Sequence, residues 1–201
     1  MRYLLFIILN FALSVSLMAQ EETLVTSDFE SGGFGGPVLK YTTIYGQNTL
    51  LAGGRGGWII NHSIVIGGGG YGTLTEIDAP SGVFPMEDPL DIHFDYGGLE
   101  LEYIFNPLAI GHFSVYMLIG GGTIFLAKDL GHYNEDNHKI GEDDFVFVLE
   151  PTVNGELNIT DWFHVGAGMS YRFINGVEQE RLENSDFSGI TGNLTFKFGS
   201  F

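Results

Sequence analysis

The sequence predicts an all-β fold, an eight-stranded antiparallel up-and-down transmembrane β-barrel, and three observations lead to this prediction. Apolar and polar side chains alternate with a period of two along most of the chain, as they do on half-buried strands. Long and short connections alternate between these segments, which is typical of a barrel with tight turns at one end and loops at the other. The composition is rich in glycine (30 residues) and aromatic residues (14%) and poor in charged residues (16%), which favours β-structure.

Eight segments of the chain have the alternation or the composition of strands. Most of them have about the length that a tilted strand needs to cross a bilayer. The predicted strands span residues 34–43, 50–60, 63–74, 93–105, 111–127, 145–159, 163–174 and 189–198.

The alternation is clearest in the sixth predicted strand, residues 145–159. Phe147 and Leu149 fall on one face of this strand, whereas Glu150 and Glu156 fall on the other. Pro151 lies inside the same strand and has no backbone N–H to donate to a neighbour, so we expect a β-bulge at this position.

The connections divide into two groups by length. The short ones are 61–62, 106–110 and 160–162, and the long ones are 75–92, 128–144 and 175–188, while the first connection on the long-loop side, 44–49, is short. With the N-terminus in the periplasm, the long loops face the cell exterior. They are strongly acidic and are expected to be solvated, with no defined metal site; divalent cations are possible partners there, bridging them to anionic lipopolysaccharide.

The N-terminus has the pattern of a secretory signal peptide, predicted to span residues 1–19. Arg2 is followed by an apolar stretch that runs to Met18, and Ala19 is a small residue before the expected cut. Residues 20–33 form a polar, acidic lead-in, and residues 34–201 form the predicted barrel domain.

Charge and cysteine content exclude several classes of function. The formal net charge is −17, and nucleic acid is therefore not an expected partner, because phosphate binding requires a basic surface. The sequence contains no cysteine, which excludes disulfides and thiolate chemistry. No cofactor is expected.

Several glycine-rich motifs and an aromatic last residue make the chain resemble the outer-membrane β-barrel domain family, the small OmpA/OmpX-like barrels. The motifs are Gly-Phe-Gly-Gly-Pro at 33–37, Gly-Gly-Arg-Gly-Gly-Trp at 53–58, Gly-Gly-Gly-Gly-Tyr-Gly at 67–72, and Phe201. The resemblance covers residues 34–201 and implies an outer-membrane location in the Gram-negative cell envelope. It also implies that the barrel assembly machinery recognises the last strand, with Leu194, Phe196, Phe198 and Phe201 as the signal, although Phe201 falls on the opposite parity from the other three.

Extending the alternation predicts a charge network inside the barrel. The polar faces of the strands carry four cations and four anions, which can neutralise one another: Lys40, Arg55, Arg172 and Lys197, and Glu100, Glu102, Glu150 and Glu156. Buried charges persist only when they are paired. An eight-stranded barrel has an interior just wide enough for side chains, so we expect a filled polar lumen and no open pore.

The function expected from these features is that of an outer-membrane barrel in contact with lipid and lipopolysaccharide, structural or interactive, with no defined catalytic activity. Two alternatives remain open. A membrane-embedded lipid-modifying enzyme would require a Ser–His–carboxylate cluster at one rim. A soluble periplasmic lipocalin-like carrier would turn the apolar faces inward around a ligand cavity.

Overall fold

The computed structural model of the protein describes residues 30–80, 90–128, 139–179 and 181–201. These residues form one closed barrel of eight strands in the order β1 to β8, in which each strand pairs antiparallel with its sequence neighbours and β1 pairs with β8. The strands are β1 (Ser31–Ile44), β2 (Gln47–Ile60), β3 (Ile64–Thr73), β4 (Leu90–Phe105), β5 (Gly111–Lys128), β6 (Lys139–Thr160), β7 (Phe163–Asn175) and β8 (Gly189–Ser200). The predicted fold class is confirmed.

The strand boundaries differ from the prediction mainly at the loop end of the barrel. β6 begins at Lys139, six residues before the predicted start, and a short helix, α1 (Asn184–Phe187), lies in the last loop, where no helix was predicted. β1 begins at Ser31, so the barrel takes in three residues assigned to the lead-in. The predicted signal peptide lies outside the described residues.

The turn between β1 and β2 is much tighter than the predicted connection. Ile44 pairs with Gln47, so only Tyr45 and Gly46 connect the two strands, with φ angles of 46° and 70°. Positive φ at both positions is the geometry of the two-residue hairpin turn that matches the twist of the strands.

The prediction of a bulge at Pro151 was wrong. Pro151 pairs in register with Met117 of β5, and the pairing of β6 with β7 is interrupted at Glu150 and Pro151 but resumes in the same register. The missing N–H is therefore accommodated by a gap in the hydrogen-bonded ladder. The register shifts of β6 fall elsewhere, opposite Ile124–Leu126 and near Asn158–Thr160. A similar gap interrupts the pairing of β1 with β8 at Gly36 and Pro37.

Close packing inside the barrel explains one of the glycines in the first motif. A Cβ atom on Gly36 would lie 1.7 Å from the carbonyl oxygen of Phe196, whereas one on the neighbouring Gly35 would meet nothing within 4 Å. Gly36 lies on the inward parity of β1 and Gly35 on the outward parity. Glycine is therefore required by packing at residue 36 but not at residue 35.

An apolar cluster occupies the interior at the loop end. Phe187 of α1 packs against Phe94 with ring centroids 5.5 Å apart, and Ile77, Ile92 and Leu182 are buried with them. In the described part of the chain, no helix has the length and hydropathy that spanning a membrane requires.

Candidate functional site

The eight charged residues predicted to face the lumen all point into the barrel. They come from six strands, β1, β2, β4, β6, β7 and β8, and none is more than 4% exposed. Alternation accounts for this arrangement, because each lies on the parity opposite to the large apolar side chains of its strand.

Five of these residues form one connected group, called here the Arg55 cluster: Arg55, Glu100, Glu102, Glu156 and Lys197. The Nε atom of Arg55 donates to Glu100 at 2.6 Å, and its Nη2 atom donates to Glu102 at 3.0 Å. Lys197 donates to Glu102 at 3.0 Å and to Glu156 at 2.7 Å. Two cations therefore bridge three carboxylates drawn from β4 and β6.

The guanidinium of Arg55 also lies against aromatic rings. Its Cζ atom is 3.9 Å from the ring centroid of Tyr116 and 5.5 Å from that of Phe34. A planar guanidinium suits this position because its edge can donate to carboxylates while its face contacts a ring.

Lys40 and Glu150 form a second group nearer the loop end, called here the Glu150 cluster. The Nζ atom of Lys40 lies 2.9 and 3.0 Å from the two carboxylate oxygens of Glu150. The hydroxyls of Tyr96 and Ser170 also donate to Glu150, at 2.7 and 2.5 Å. The carboxylate therefore accepts hydrogen bonds from three strands, β1, β4 and β7.

Tyr71 lies between the two clusters. Its hydroxyl donates to Glu100 at 2.8 Å, and its ring centroid is 3.5 Å from the Nζ atom of Lys40. The interior charges thus make one continuous set of contacts along the middle of the barrel.

Arg172 differs from the other three interior cations. Its Nε atom donates to the backbone carbonyl of Phe187 at 2.8 Å, and its guanidinium lies over the rings of Phe94 and Tyr96. Within the described ranges it forms no ion pair, and its Nη1 and Nη2 atoms have no hydrogen-bond partner. The structure therefore does not bring Arg172 together with any of the four predicted glutamates.

Sequence reasoning missed the neutral partners of the charges. Tyr71, Tyr96, Tyr116, Ser114 and Ser170 all face the interior and contact the charged groups. The sequence could have identified them, because each occupies an alternate position that faces the same side of the sheet as the charged residues on its own strand or on the neighbouring strand.

Two histidines at the turn end of the interior were also missed. His112 Nε2 lies 3.6 Å from a carboxylate oxygen of Glu156, and the ring centroids of His112 and His164 are 6.3 Å apart. The hydroxyl of Ser114 donates directly to Glu156 at 2.8 Å. The Ser–His–carboxylate cluster of the enzyme alternative requires a histidine between the serine and the carboxylate, and no Ser–His hydrogen bond forms in the part of the chain that the structure describes.

The predicted acidic loops are only partly described. Residues 81–89, 129–138 and 180, on which much of the predicted cation contact falls, lie outside the described ranges. Among the residues that are described, no group of three or more histidines, aspartates or glutamates is arranged to hold a metal ion.

The four residues of the predicted assembly signal divide between the two faces of the wall. Leu194, Phe196 and Phe198 point outward, and the ring of Phe198 stacks on that of Phe163 at a centroid distance of 4.9 Å. Phe201 follows β8 and lies against the inner residues Phe34 and His164, at centroid distances of 6.2 and 3.5 Å.

The outer face of the barrel is apolar. Over residues 31–43, 48–60, 64–72, 93–105, 111–127, 145–159, 163–175 and 190–200, the outward positions contain one charged residue, Asp95. Asp95 pairs with Thr123 of β5, which in turn pairs with Phe145 of β6. Asp95 therefore lies near the loop end of the barrel. Aliphatic side chains such as Leu99, which is 71% exposed, cover the middle of the wall.

Aromatic side chains border this apolar band at both ends. Those near the turns include Trp58, Tyr103, Phe105, Phe113 and Trp162, and those near the loops include Tyr41, Phe145, Phe147, Tyr171 and Phe173. The polarity of the barrel is therefore reversed relative to a soluble protein. Charged side chains lie inside, and the outer surface is an apolar band bordered at both ends by aromatic side chains.

Comparison with known proteins supports the fold. No protein-family model matches the chain, and no curated protein matches it. Among solved structures, the N-terminal β-barrel domain of Pseudomonas aeruginosa OprF matches with a TM-score of 0.51 at 12% identity, covering 84% of this chain and 96% of that domain. Neisserial surface protein A matches with a TM-score of 0.51 at 13% identity, covering 87% of this chain and 99% of that one. The predicted resemblance is thus confirmed at the level of the fold, and the chain has the small eight-stranded barrel architecture of these two structures.

Proposed function

We propose that the protein is an outer-membrane β-barrel with a structural or interaction role, a filled lumen and no defined catalytic activity. The observation that carries the proposal is the reversed polarity of the wall. A barrel in lipid needs an apolar exterior bordered by aromatic side chains and can keep a polar interior. A closed barrel also satisfies its backbone hydrogen bonds without water, which a bilayer demands.

The soluble-carrier alternative is disfavoured by the same observation. A lipocalin-like barrel would place Phe147 and Leu99 inside and the glutamates outside. In water, the exposed apolar band would far exceed the few hundred square ångströms of contiguous apolar surface that soluble monomers tolerate.

One pair of substitutions tests whether lipid surrounds the wall. Leu99→Arg should destabilise a membrane barrel by about 2–4 kcal/mol, because it places a charge in the apolar band. Leu108→Arg is the matched control, since Leu108 is 83% exposed in the β4–β5 turn, outside the band. The two variants are compared by urea unfolding in lipid vesicles, and equal stabilities would contradict a membrane location.

Location and barrel closure are tested together in cells. Membranes should retain the protein until detergent is added, and the unheated protein should migrate differently from the boiled one on a denaturing gel. Release of the protein by osmotic shock alone would instead support the soluble carrier.

The filled lumen has its own test. The buried clusters and the apolar cluster beneath α1 occupy the interior with side chains, so purified protein should give no steady conductance in a planar bilayer. Stable single-channel currents would refute this part of the proposal.

The partners proposed for the protein follow from its topology. We expect the long loops predicted at 75–92, 128–144 and 175–188 to face the exterior and meet lipopolysaccharide, with divalent cations bridging like charges. Protease added to intact cells should cut within these loops, and cleavage only after lysis would reverse the topology. The assembly machinery recognises the outward side chains of β8, so Phe198→Ala should reduce insertion more than Phe201→Ala.

A further inference from the structure

The turn end of the barrel contains a cavity that the proposed function does not use. It has a volume of about 480 Å³, which is within the usual range of roughly 300–1,000 Å³ for small-molecule sites. The β2–β3, β4–β5 and β6–β7 turns surround its mouth through His62, Leu108 and Asp161.

The walls of the cavity are of two kinds. One side is apolar and aromatic, formed by Phe34, Ile104 and Phe201. The other side is polar and consists of His112, Glu156, Asn158, His164 and Lys197. A ligand that matches both sides has an apolar body and a polar head.

Charge selects the sign of the head group. The Arg55 cluster contains two cations and three carboxylates, and Lys197 is already shared between Glu102 and Glu156. Asp161 adds a further acid at the mouth. The cavity therefore has an excess of negative charge, and it favours a cation.

The cavity contains polar groups without hydrogen-bond partners that could accept hydrogen bonds from a cationic head group. His164 is 6% exposed and makes no hydrogen bond within the described part of the chain, and the buried Oδ1 atom of Asn158 has no partner there either. Both can accept, as can the carboxylate of Glu156. An ammonium group offers three N–H donors and no acceptor.

We propose that this cavity binds a small organic ammonium ion, with its apolar body against Phe34 and Phe201 and its charged head near Glu156. A charge-assisted hydrogen bond contributes more than a neutral one, so the charge should raise affinity about tenfold over a neutral analogue of the same shape. The proposal does not depend on where in the cell the protein resides.

Calorimetric titration of the full chain in detergent micelles tests this, with micelles alone as the blank. At pH 8 the probes are benzylamine, benzyl alcohol and benzoate, which share a ring and differ in the head. Benzylamine should bind about tenfold more tightly than benzyl alcohol, and benzoate should bind most weakly. Equal binding of the three, preference for benzoate, or no binding would each overturn the proposal.

Variants locate the site. Glu156→Gln should remove the preference for benzylamine, whereas Glu150→Gln, which deletes a comparable buried carboxylate outside the cavity, should retain it. If Glu156→Gln does not fold, Leu108→Arg supplies the test, because it adds a cation at the exposed mouth. Leu108→Arg should weaken benzylamine and strengthen benzoate, and unchanged binding in this variant would place any ligand elsewhere.

Discussion

Replacing Arg55 tests the energetic role of the interior charges. Arg55→Met preserves most of the side-chain volume but removes the bonds to Glu100 and Glu102. Glu100 would retain only the hydroxyl of Tyr71, and Glu102 only Lys197, so two buried carboxylates would each lose a charged partner. Removing one member of a buried ion pair costs about 3–5 kcal/mol, and we expect a loss in this range.

A double variant separates charge from packing. Arg55→Met combined with Glu100→Gln removes the stranded charge as well as its partner, so its cost should be less than the sum of the two single costs by about 0.5–3 kcal/mol. Arg181→Met is the control, because Arg181 is exposed in the last loop and its pairing is worth at most about 1 kcal/mol.

Unfolding by urea in lipid vesicles provides the assay. The two tryptophans, Trp58 and Trp162, both lie on the outer face, so their emission reports transfer from lipid to water. If Arg55→Met costs no more than Arg181→Met, or if the double variant costs the full sum, the cluster does not stabilise the barrel and the reasoning fails.

Three further predictions concern packing, charge and processing. Gly36→Ala should destabilise the barrel by more than about 1 kcal/mol, measured by the same urea unfolding, whereas Gly35→Ala should be nearly neutral; equal effects would contradict the inward packing of residue 36. Arg172→Met should cost less than Arg55→Met in that assay, because no ion pair is broken within the described residues, and an equal cost would indicate a charged partner elsewhere. The exported protein should begin at Gln20 or within a residue or two of it by N-terminal sequencing, and retention of Met1 would refute cleavage.

The sequence predicted well which side chains face the interior of the barrel and which face outward. Period-two alternation assigned the inward or outward direction of side chains without any three-dimensional information, since Glu150 and Phe147 differ by an odd number of positions on one strand. Strand count followed from the same pattern.

Pairing across the lumen could not be predicted in the same way. Which cation meets which carboxylate depends on the stagger between strands that lie far apart around the barrel, and no local pattern encodes this stagger. Arg55 and Glu150 are both in mid-strand, yet each pairs with other residues and not with the other. The bulge expected at Pro151 failed for a related reason, because one missing donor interrupts a single ladder without altering the register.

The interrupted pairing of β1 with β8 at Gly36 and Pro37 has a consequence for how the barrel closes during assembly. Hairpins such as β1–β2 join residues close in sequence and can form early, whereas the contact of Thr42 with Thr191 joins positions 149 residues apart. We expect the ends of the chain to meet last, because joining them costs the largest loss of chain entropy. They meet at an edge where Gly36 and Pro37 of β1 do not pair with β8. We therefore expect closure to be the slow step of assembly, during which the two open edges are exposed to pairing with other chains.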